Sequence, residues 1–272
     1  MNSDARTACE TCPVNPHARL IKRGSETDSA DFVVALAGNP NVGKSTVFNA
    51  LTGLRQHTGN WPGKTVARAE GAYSYDDRHY RIVDLPGTYS LLSTSTDEEI
   101  ARDFILFEQP DVTVVVTDAT MLERNLNLAL QVLGITEKVV VCVNLIDEAE
   151  RHGISVDVRS MAKDLGVPVV ATAARSSRGM AELLQSIAEV ASGNFVCRPR
   201  RVWTESKKLK ASIDKLESML RQEYPGLPNA RWVALRLLEG DRRITEAVRS
   251  GALSGLQRVA PDAGQRIKKV QL

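Results

Sequence analysis

The eight residues from Gly38 to Ser45, GNPNVGKS, constrain the fold of this 272-residue chain more than any other segment. They fit the pattern G-x-x-x-x-G-K-[ST], follow the β-branched run Phe32–Ala37 and precede a helix predicted over Thr46–Leu54. Glycine lets the backbone curl until successive N–H groups face phosphate oxygens, and the helix N-terminus adds partial positive charge. The segment therefore predicts a strand–loop–helix unit that binds the phosphates of a nucleotide.

Strand and helix patterns alternate after this unit. The predicted strands are Phe32–Ala37, Tyr80–Val83, Val112–Thr117, Val139–Val143 and Val167–Ala171. The predicted helices are Glu98–Glu108, Leu122–Leu133, Val158–Leu165 and Met180–Ala191. Ala67–Tyr75 is expected to pair with Tyr80–Val83 through a turn at Asp76-Asp77, as an antiparallel edge. The alternation predicts an α/β fold with a mostly parallel sheet of six or seven strands, flanked by helices.

Composition divides the chain into three segments: a flexible tail at 1–30, a nucleotide-binding domain at 31–195 and a small all-helical domain at 200–265. Within the helical domain, Leu209, Ile213, Leu216 and Leu220 fall on a single predicted helical face. From Pro199 onward there are 16 Lys/Arg against 8 Asp/Glu, whereas the preceding residues have 19 against 25. A basic rear segment suits nucleic acid or a lipid headgroup surface, but an ordinary solvated helical surface explains it equally well.

The remaining sequence signals are weak. The first thirty residues lack an apolar signal core, and the apolar runs, such as that within Lys138–Asn144, are far shorter than the ~20 residues of a membrane helix. The chain is therefore expected to be soluble. Cys9 and Cys12 form a C-x-x-C pair near His17, but no second pair completes a metal site and no helix supports a redox role. A flexible tail is the favoured interpretation, with a metal or redox function as the alternative.

Two further motifs complete a nucleotide site. Lys44 is expected to reach the β- and γ-phosphates, and the Ser45 hydroxyl to bind Mg²⁺. Asp84-Leu85-Pro86-Gly87 ends a predicted strand, so Asp84 can hold Mg²⁺ through water and the N–H of Gly87 can meet the γ-phosphate. Residues 144–147, NLID, end another strand. The Asp147 carboxylate can accept two hydrogen bonds from guanine, which adenine cannot donate, and this difference selects guanine.

The base-binding motifs depart from the common GTPase forms. Leu145 stands where N-K-x-D has Lys, which predicts weaker nucleotide binding. Residues 172–175, TAAR, occupy the place of the usual S-A-x loop, so the N–H of Ala174 is expected to bond guanine O6. Ala173 stands where Ser is usual, and a loop without that hydroxyl should release GDP faster.

The segment from Gly59 to Val66, GNWPGKTV, lies between the phosphate loop and the D-x-x-G motif. A GTPase keeps its first switch here, with a Thr that binds Mg²⁺ only when the γ-phosphate is present. Thr65 is the first candidate and Thr58 the second. Trp61 has two interpretations: it anchors one state of the switch by packing, or it is exposed as a contact for another domain.

Taken together these segments resemble the cytosolic G domain of the FeoB family, the bacterial ferrous iron transport proteins B. The resemblance rests on GNPNVGKSTVFNALTG (38–53), GNWPGKTV (59–66), DLPGTYSL (84–91), DATMLERNLNLALQ (118–131) and NLID (144–147). It implies a Ras-like P-loop GTPase fold, a helical spacer after residue 200 and a place at the cytoplasmic face of the bacterial inner membrane. It also implies that the permeation path lies outside this chain.

Two groups that GTPases commonly use in catalysis, a Gln after D-x-x-G and an arginine finger, are not evident in this sequence, so catalysis would need a substitute. Thr88 follows D-x-x-G where many small GTPases have Gln, and it is too short to orient the attacking water in the same way. No arginine finger is evident, although Arg55 and Arg68 flank the switch. Asn41 matches the position that binds K⁺ in potassium-activated relatives, so K⁺ between the phosphates is the candidate substitute.

The expected nucleotide contacts are Gly38, Asn39, Asn41, Val42, Gly43, Lys44, Ser45, Thr46, Asp84, Gly87, Asn144, Asp147, Thr172, Ala173 and Ala174. The expected catalytic residues are Lys44, Asn41, Thr65 and Gly87; the expected Mg²⁺ ligands are Ser45, Thr65 and Asp84; Asn41 is the K⁺ ligand.

The favoured function is a slow, potassium-stimulated GTPase that regulates an Fe²⁺ transporter. Its expected partners are guanine nucleotide, the transporter's own membrane region, further copies of the chain and small accessory transport proteins, without nucleic acid. Two alternatives remain open: a soluble GTPase of the Era or TrmE kind that acts on RNA, and a nucleotide-gated binding module with negligible turnover.

Overall fold

The computed structural model describes residues 18–19, 30–53, 57–61, 64–92, 95–200, 207–225, 227, 229–251 and 253. The C-x-x-C pair and Arg55, singled out above, lie outside these residues. Contacts divide the chain into two compact units, Met1–Arg201 and Val202–Leu272.

The first unit alternates strands and helices. Its strands are β1 (Ala18–Arg19), β2 (Phe32–Gly38), β3 (His57–Asn60), β4 (Ala67–Tyr75), β5 (Arg78–Asp84), β6 (Val112–Asp118), β7 (Val139–Asn144) and β8 (Val169–Ala171). Its α-helices are α1 (Lys44–Thr52), α2 (Thr96–Asp103), α3 (Leu122–Ile135), α4 (Ile146–Arg151), α5 (Val158–Leu165) and α6 (Met180–Ser192). A π-helical turn, Phe104–Glu108, continues α2, and short 3₁₀ turns occupy Ala119–Met121 and Ala174–Ser176.

All eight strands form one mixed sheet in the order β1-β4-β5-β2-β6-β7-β8, with β3 also paired to β4. Pairing is parallel from β5 through β8 and antiparallel around β4. Every residue of β7 is buried, and so are the first six residues of β6, as expected for parallel strands covered on both faces. The predicted α/β sheet with one antiparallel edge is confirmed.

Several local features differ from the sequence predictions, including helix α4 (Ile146–Arg151), which is not predicted. The exposed polar residues HTGN have no strand pattern, yet they form β3, which is a strand only through its pairing with β4. The two-residue β1 is also not predicted, since two residues give no pattern. Helix α1 begins at Lys44 rather than Thr46, because Gly43 at φ 78° turns the loop directly into the helix.

The sheet places the motif residues along one edge. Gly38, Asp84, Asp118, Asn144 and Ala171 each end a strand, and the parallel register aligns Leu36 with Asp84, Asp118 with Asn144 and Val143 with Ala171. Ligands of open α/β sheets bind outside the carboxyl ends of the strands. The register therefore brings the phosphate motif and the base motif to the same side of the molecule.

The described residues of the second unit are helical: α7 (Lys207–Glu223), α8 (Ala230–Leu238) and α9 (Arg242–Arg249). Its core includes Ile213 and Leu220 from α7, Trp232 from α8 and Ile244 from α9, and the Tyr224 hydroxyl donates to the carbonyl of Val248 at 3.0 Å. Of the predicted apolar face, Leu216 is half-buried and Leu209 is 41% exposed. Among the described residues no helix is both long and apolar enough to cross a membrane.

Candidate nucleotide-binding site

The phosphate loop has the curled backbone that its sequence predicts. Asn41 and Gly43 both have positive φ, 67° and 78°. Alternation between positive and negative φ along the chain turns successive N–H groups toward one side and makes a concavity for anions. Gly38 has no room for a side chain, because a Cβ there would lie 2.7 Å from the carbonyl oxygen of Val116. The loop therefore has the backbone shape of an anion-binding concavity, and its first position requires glycine.

Asn39 lies inside this loop and is only 3% exposed. Neither atom of its side-chain amide has a hydrogen-bond partner in the structure. A buried amide without partners is unfavourable by about 1–3 kcal/mol. Asn39 is thus the one phosphate-loop side chain among the described residues whose polar group is both buried and unsatisfied.

Lys44 connects the phosphate loop to the D-x-x-G segment. Its ammonium forms an ion pair with the Asp84 carboxylate and donates a second hydrogen bond to the carbonyl of Leu85 at 2.7 Å. Burial raises the pKa of the Asp84 carboxyl, and the adjacent Lys44 charge opposes that rise. The predicted phosphate-binding cation and the predicted Mg²⁺-associated carboxylate are therefore direct neighbours.

The D-x-x-G segment also packs on the loop through its backbone. The N–H of Thr88 donates to the carbonyl of Gly38 at 3.2 Å. A Cβ added to Gly87 would lie 3.5 Å from Pro40, which is ordinary contact distance. Gly87 therefore lies beside the phosphate loop, as its expected role requires.

Asn144 joins the phosphate loop to the base-binding loop. Its side-chain Nδ2 donates to the carbonyl of Val42 at 3.0 Å, and its Oδ1 accepts from the Thr172 hydroxyl and the Ala174 N–H, both at 3.1 Å. The residue is 1% exposed. Gly43 allows this approach, since a Cβ there would lie 2.4 Å from Asn144 Nδ2. One buried amide thus fixes two loops that are far apart in sequence.

The residues that follow Asn144 enter α4. Leu145 adopts φ 60°, which is costly for a leucine, and its Cδ2 would lie 3.9 Å from a Cβ on Gly43. Asp147 lies in the first turn of α4, partly exposed, with Arg151 Nη2 at 3.4 Å from its Oδ2. A weak, exposed ion pair of this kind leaves the carboxylate able to exchange partners.

Two positions of the base loop hydrogen-bond within the protein. The N–H of Ala173 donates to the carbonyl of Arg178 at 3.0 Å, and that of Ala174 donates to Asn144 Oδ1. Binding of guanine O6 by Ala174 therefore requires its N–H to be shared or exchanged.

The predicted Mg²⁺ ligands are not all gathered in this structure. Ser45 and Thr46 are exposed in the first turn of α1. Thr65 is also exposed, near the tip of the β3–β4 hairpin, and Thr58 is exposed on β3. Among the described residues no group of three or more His, Cys, Asp or Glu side chains could hold a metal ion.

Thr88 and Arg68, the two described side chains considered for catalysis above, both have partners within the protein. The Thr88 hydroxyl is buried and hydrogen-bonded to the main chain of Ser90. The Arg68 guanidinium forms an ion pair with Glu70 and lies 4.7 Å from the centre of the Trp61 ring. Neither group is free to act on a phosphate in this conformation.

Two arrangements are not evident from the sequence. The first is the Asn144 tie, by which we mean the three hydrogen bonds from this side chain to the phosphate loop and the base loop. Its only sequence signal is a polar residue at the end of an otherwise apolar strand. The second is the seat of Trp61, the buried place where its ring packs on Phe104 and is only 7% exposed. Of the two interpretations of Trp61, the structure therefore favours packing over exposure. Nothing in the sequence links residue 61 to residue 104.

The phosphate loop, the strand-end Asp84 with its D-x-x-G turn and the N-x-x-D residues share one edge of a largely parallel sheet. This arrangement defines the class of P-loop GTPase domains. Within that class, the model described as "Ferrous iron transport protein B" matches residues 32–187, and that of the "FeoB cytosolic helical domain" matches residues 206–271. The chain belongs to the FeoB family.

Individual relatives agree with this assignment. The Fe(2+) transporter FeoB of Salmonella typhimurium is 41% identical over 214 residues, which are 77% of this chain and 27% of that protein. A fusion of Fe(2+) transport protein A with FeoB from Porphyromonas gingivalis is 38% identical over 220 residues, 79% of this chain and 26% of that protein. The chain thus spans about a quarter of the length of these relatives.

Solved structures also match. The cytosolic domain of T. maritima FeoB in a GDP form is 40% identical, with a TM-score of 0.74 over 81% of this chain and 86% of that chain. Its GMPPNP form matches with a TM-score of 0.73 at the same identity and the same two coverages.

Asn144→Ala tests the tie between the two loops. We expect the affinity for GDP to fall on the order of a hundredfold, because about 3 kcal/mol of hydrogen bonding that positions both loops is lost. Titration with a fluorescent GDP measures it. Asn125→Ala is the control, since Asn125 is also buried but its amide donates to Met121 within its own helical segment. Equal affinities for Asn144→Ala and wild type would contradict the assignment.

Proposed function

We propose that this chain is the GTP-binding and GTP-hydrolysing regulatory region of a bacterial Fe²⁺ transporter, which couples its nucleotide state to a membrane region. The observation that most supports this proposal is that Asn144 hydrogen-bonds to both the phosphate loop and the base loop. Family membership supports the transporter context, and the GDP and GMPPNP forms of the T. maritima relative support the nucleotide.

The phosphates would be bound by the curled backbone of residues 38–43 and by Lys44. Lys44 must then exchange its partner Asp84 for phosphate oxygens, which leaves the Asp84 carboxylate available to a metal. Ser45, Thr65 and Asp84 are the residues that would hold Mg²⁺, which would neutralise charge on the phosphates. Gly87, already beside Pro40, would place its N–H toward the γ-phosphate.

The base would be read by Asp147, whose carboxylate accepts two hydrogen bonds that guanine alone can donate. Thr172, Ala173 and Ala174 would close the other side of the base, with Asn144 holding Ala174 in place. Leu145 cannot supply the charged lid that Lys gives in the common motif. We therefore propose weak binding and rapid release of GDP.

Turnover would be slow, because the Thr88 hydroxyl is hydrogen-bonded to Ser90 and the Arg68 guanidinium is paired with Glu70 and packed on the Trp61 ring. Loss of an arginine finger alone slows GTP hydrolysis on the order of 10³–10⁵-fold. Asn41, exposed and at φ 67°, can offer its side-chain oxygen to K⁺, which would supply positive charge at the phosphates.

We further propose that the chain acts at the cytoplasmic face of the inner membrane, with the membrane region of its full-length protein as partner. Homo-oligomers and small accessory transport proteins are additional candidates, and the fusion in Porphyromonas gingivalis favours the latter. Nucleic acid is not expected. Salt-dependent retention of RNA by the purified chain would favour the RNA-directed alternative.

Multiple-turnover phosphate release from GTP tests the proposed activity. We expect slow release in NaCl, release at least several-fold faster in KCl, and little stimulation in Asn41→Ala. Asn194→Ala, which removes an exposed Asn just after α6 and outside the proposed site, should keep the stimulation. No release beyond one turnover in either salt would favour a binding module instead, and equal rates in both salts would refute the role of K⁺.

Thr65→Ala tests the first switch. Mg²⁺ should strengthen binding of a non-hydrolysable GTP analogue to wild type on the order of tenfold more than to Thr65→Ala, because a ligand of the metal is lost. GDP binding should respond equally in both proteins. Thr58→Ala is the matched control on the same hairpin. If Thr58→Ala rather than Thr65→Ala loses the Mg²⁺ dependence, the assignment is reversed.

A further inference from the structure

The hairpin β3–β4, which carries Thr65 near its tip, has one buried anchor among its described residues before β4. All four residues of β3 are exposed, whereas Trp61 directly after them is 7% exposed. Exposed polar strands at a sheet edge gain little from packing. The position of this segment of the hairpin therefore depends on Trp61.

Trp61 is held by the helix that follows the D-x-x-G segment. Its ring meets the ring of Phe104 edge to face, with centroids 5.6 Å apart and an interplanar angle of 76°. The Arg68 guanidinium covers the ring at 4.7 Å from its centroid. Phe104 is 5% exposed and begins the π-helical turn that continues α2, and such turns are frequent at functional sites.

Two backbone hydrogen bonds join Trp61 to the described residues that precede β4. The N–H of Trp61 donates to the carbonyl of Val66 at 3.0 Å, and the N–H of Lys64 donates to the carbonyl of Trp61 at 2.9 Å. The Lys64 ammonium then pairs with Glu99 of α2 at 3.3 Å. Thr65 lies between Lys64 and Val66, so its place is set by the seat of Trp61 on α2.

The seat is incomplete in one respect. The indole Nε1 of Trp61 is buried and has no hydrogen-bond partner. A buried donor without a partner offsets some of the gain from ring packing, because its bond to water is lost and not replaced. The packing of Trp61 is therefore less stable than its ring contacts alone would make it.

We propose that these contacts, the Trp61 clasp (Trp61 on Phe104 and Arg68, with Lys64 on Glu99), hold the first switch against α2 until GTP opens them. The proposal rests on the GTP-dependent switch proposed above. Thr65 is exposed in the clasped hairpin and lies four residues along the chain from Ala69, the residue that pairs with Asp84. On this proposal, the tip of the hairpin leaves its seat when Thr65 binds a metal beside Asp84. A ligand shifts such an equilibrium only by its differential affinity for the two states. The clasp therefore weakens GTP binding relative to GDP binding.

The emission of Trp61 tests whether the clasp opens. The chain has three tryptophans, so Trp203→Phe and Trp232→Phe together leave Trp61 as the sole reporter. Without nucleotide and with GDP we expect blue-shifted emission and weak quenching by acrylamide. A non-hydrolysable GTP analogue should shift the emission to the red and raise the quenching constant several-fold. Equal quenching in all three conditions, in a protein that binds the analogue, would overturn the proposal.

Phe104→Leu tests the energetic role without fluorescence of Trp61. It removes the ring under Trp61 but keeps an apolar side chain, so we expect the ratio of GTP-analogue affinity to GDP affinity to rise on the order of tenfold. Phe32→Leu is the matched control, because Phe32 also loses an aromatic contact, with Tyr80 at 5.3 Å, away from the hairpin. An unchanged ratio in Phe104→Leu, or an equal rise in both variants, would overturn the clasp.

Failure of the clasp and failure of the proposed function give different results. If wild type binds neither GDP nor the GTP analogue, the proposed function is wrong. If it binds both and the affinity ratio does not respond to Phe104→Leu, the function stands and the clasp is wrong.

Discussion

The side chain of Asn144 holds the candidate site together. It is buried at the end of a central strand, and its three hydrogen bonds reach the phosphate loop on one side and the base loop on the other. This amide restricts which residues can stand at the neighbouring positions. Gly43 must lack a side chain where the amide passes, and Thr172 and Ala174 supply the groups that orient its oxygen. The distance between the proposed phosphate contacts and the proposed base contacts is thereby set by the protein itself.

The parallel sheet and the main motifs are predictable from sequence because each has a local signal. A β-branched run before G-x-x-x-x-G-K-S predicts β2 and its loop, and an Asp after Tyr80–Val83 predicts the end of β5. The strand ends then converge because parallel strands share an edge. Leu145 and Thr88 can likewise be recognised as departures from common GTPase motifs without a structure.

Features that depend on pairing at long range are not predictable in this way. β3 has the composition of a loop, HTGN, and is a strand only because β4 is beside it. Trp61 can be assigned to packing only once Phe104 is found against it, 43 residues later in the chain. The predicted start of α1 is wrong by two residues because Gly43 gives no helix-start signal, although its positive φ leads straight into the helix.

The central claim is that the two loops joined by Asn144 form a guanine-nucleotide site. Selectivity for guanine over adenine is its most direct test. Calorimetric titration of the purified chain with GDP and with ADP at equal Mg²⁺ measures it, with Asp147→Ala as the variant that removes the carboxylate proposed to read the base. The account predicts GDP binding at least a hundredfold tighter than ADP binding, and loss of most of that preference in Asp147→Ala. Equal affinity for GDP and ADP, or a preference that survives Asp147→Ala, would contradict it.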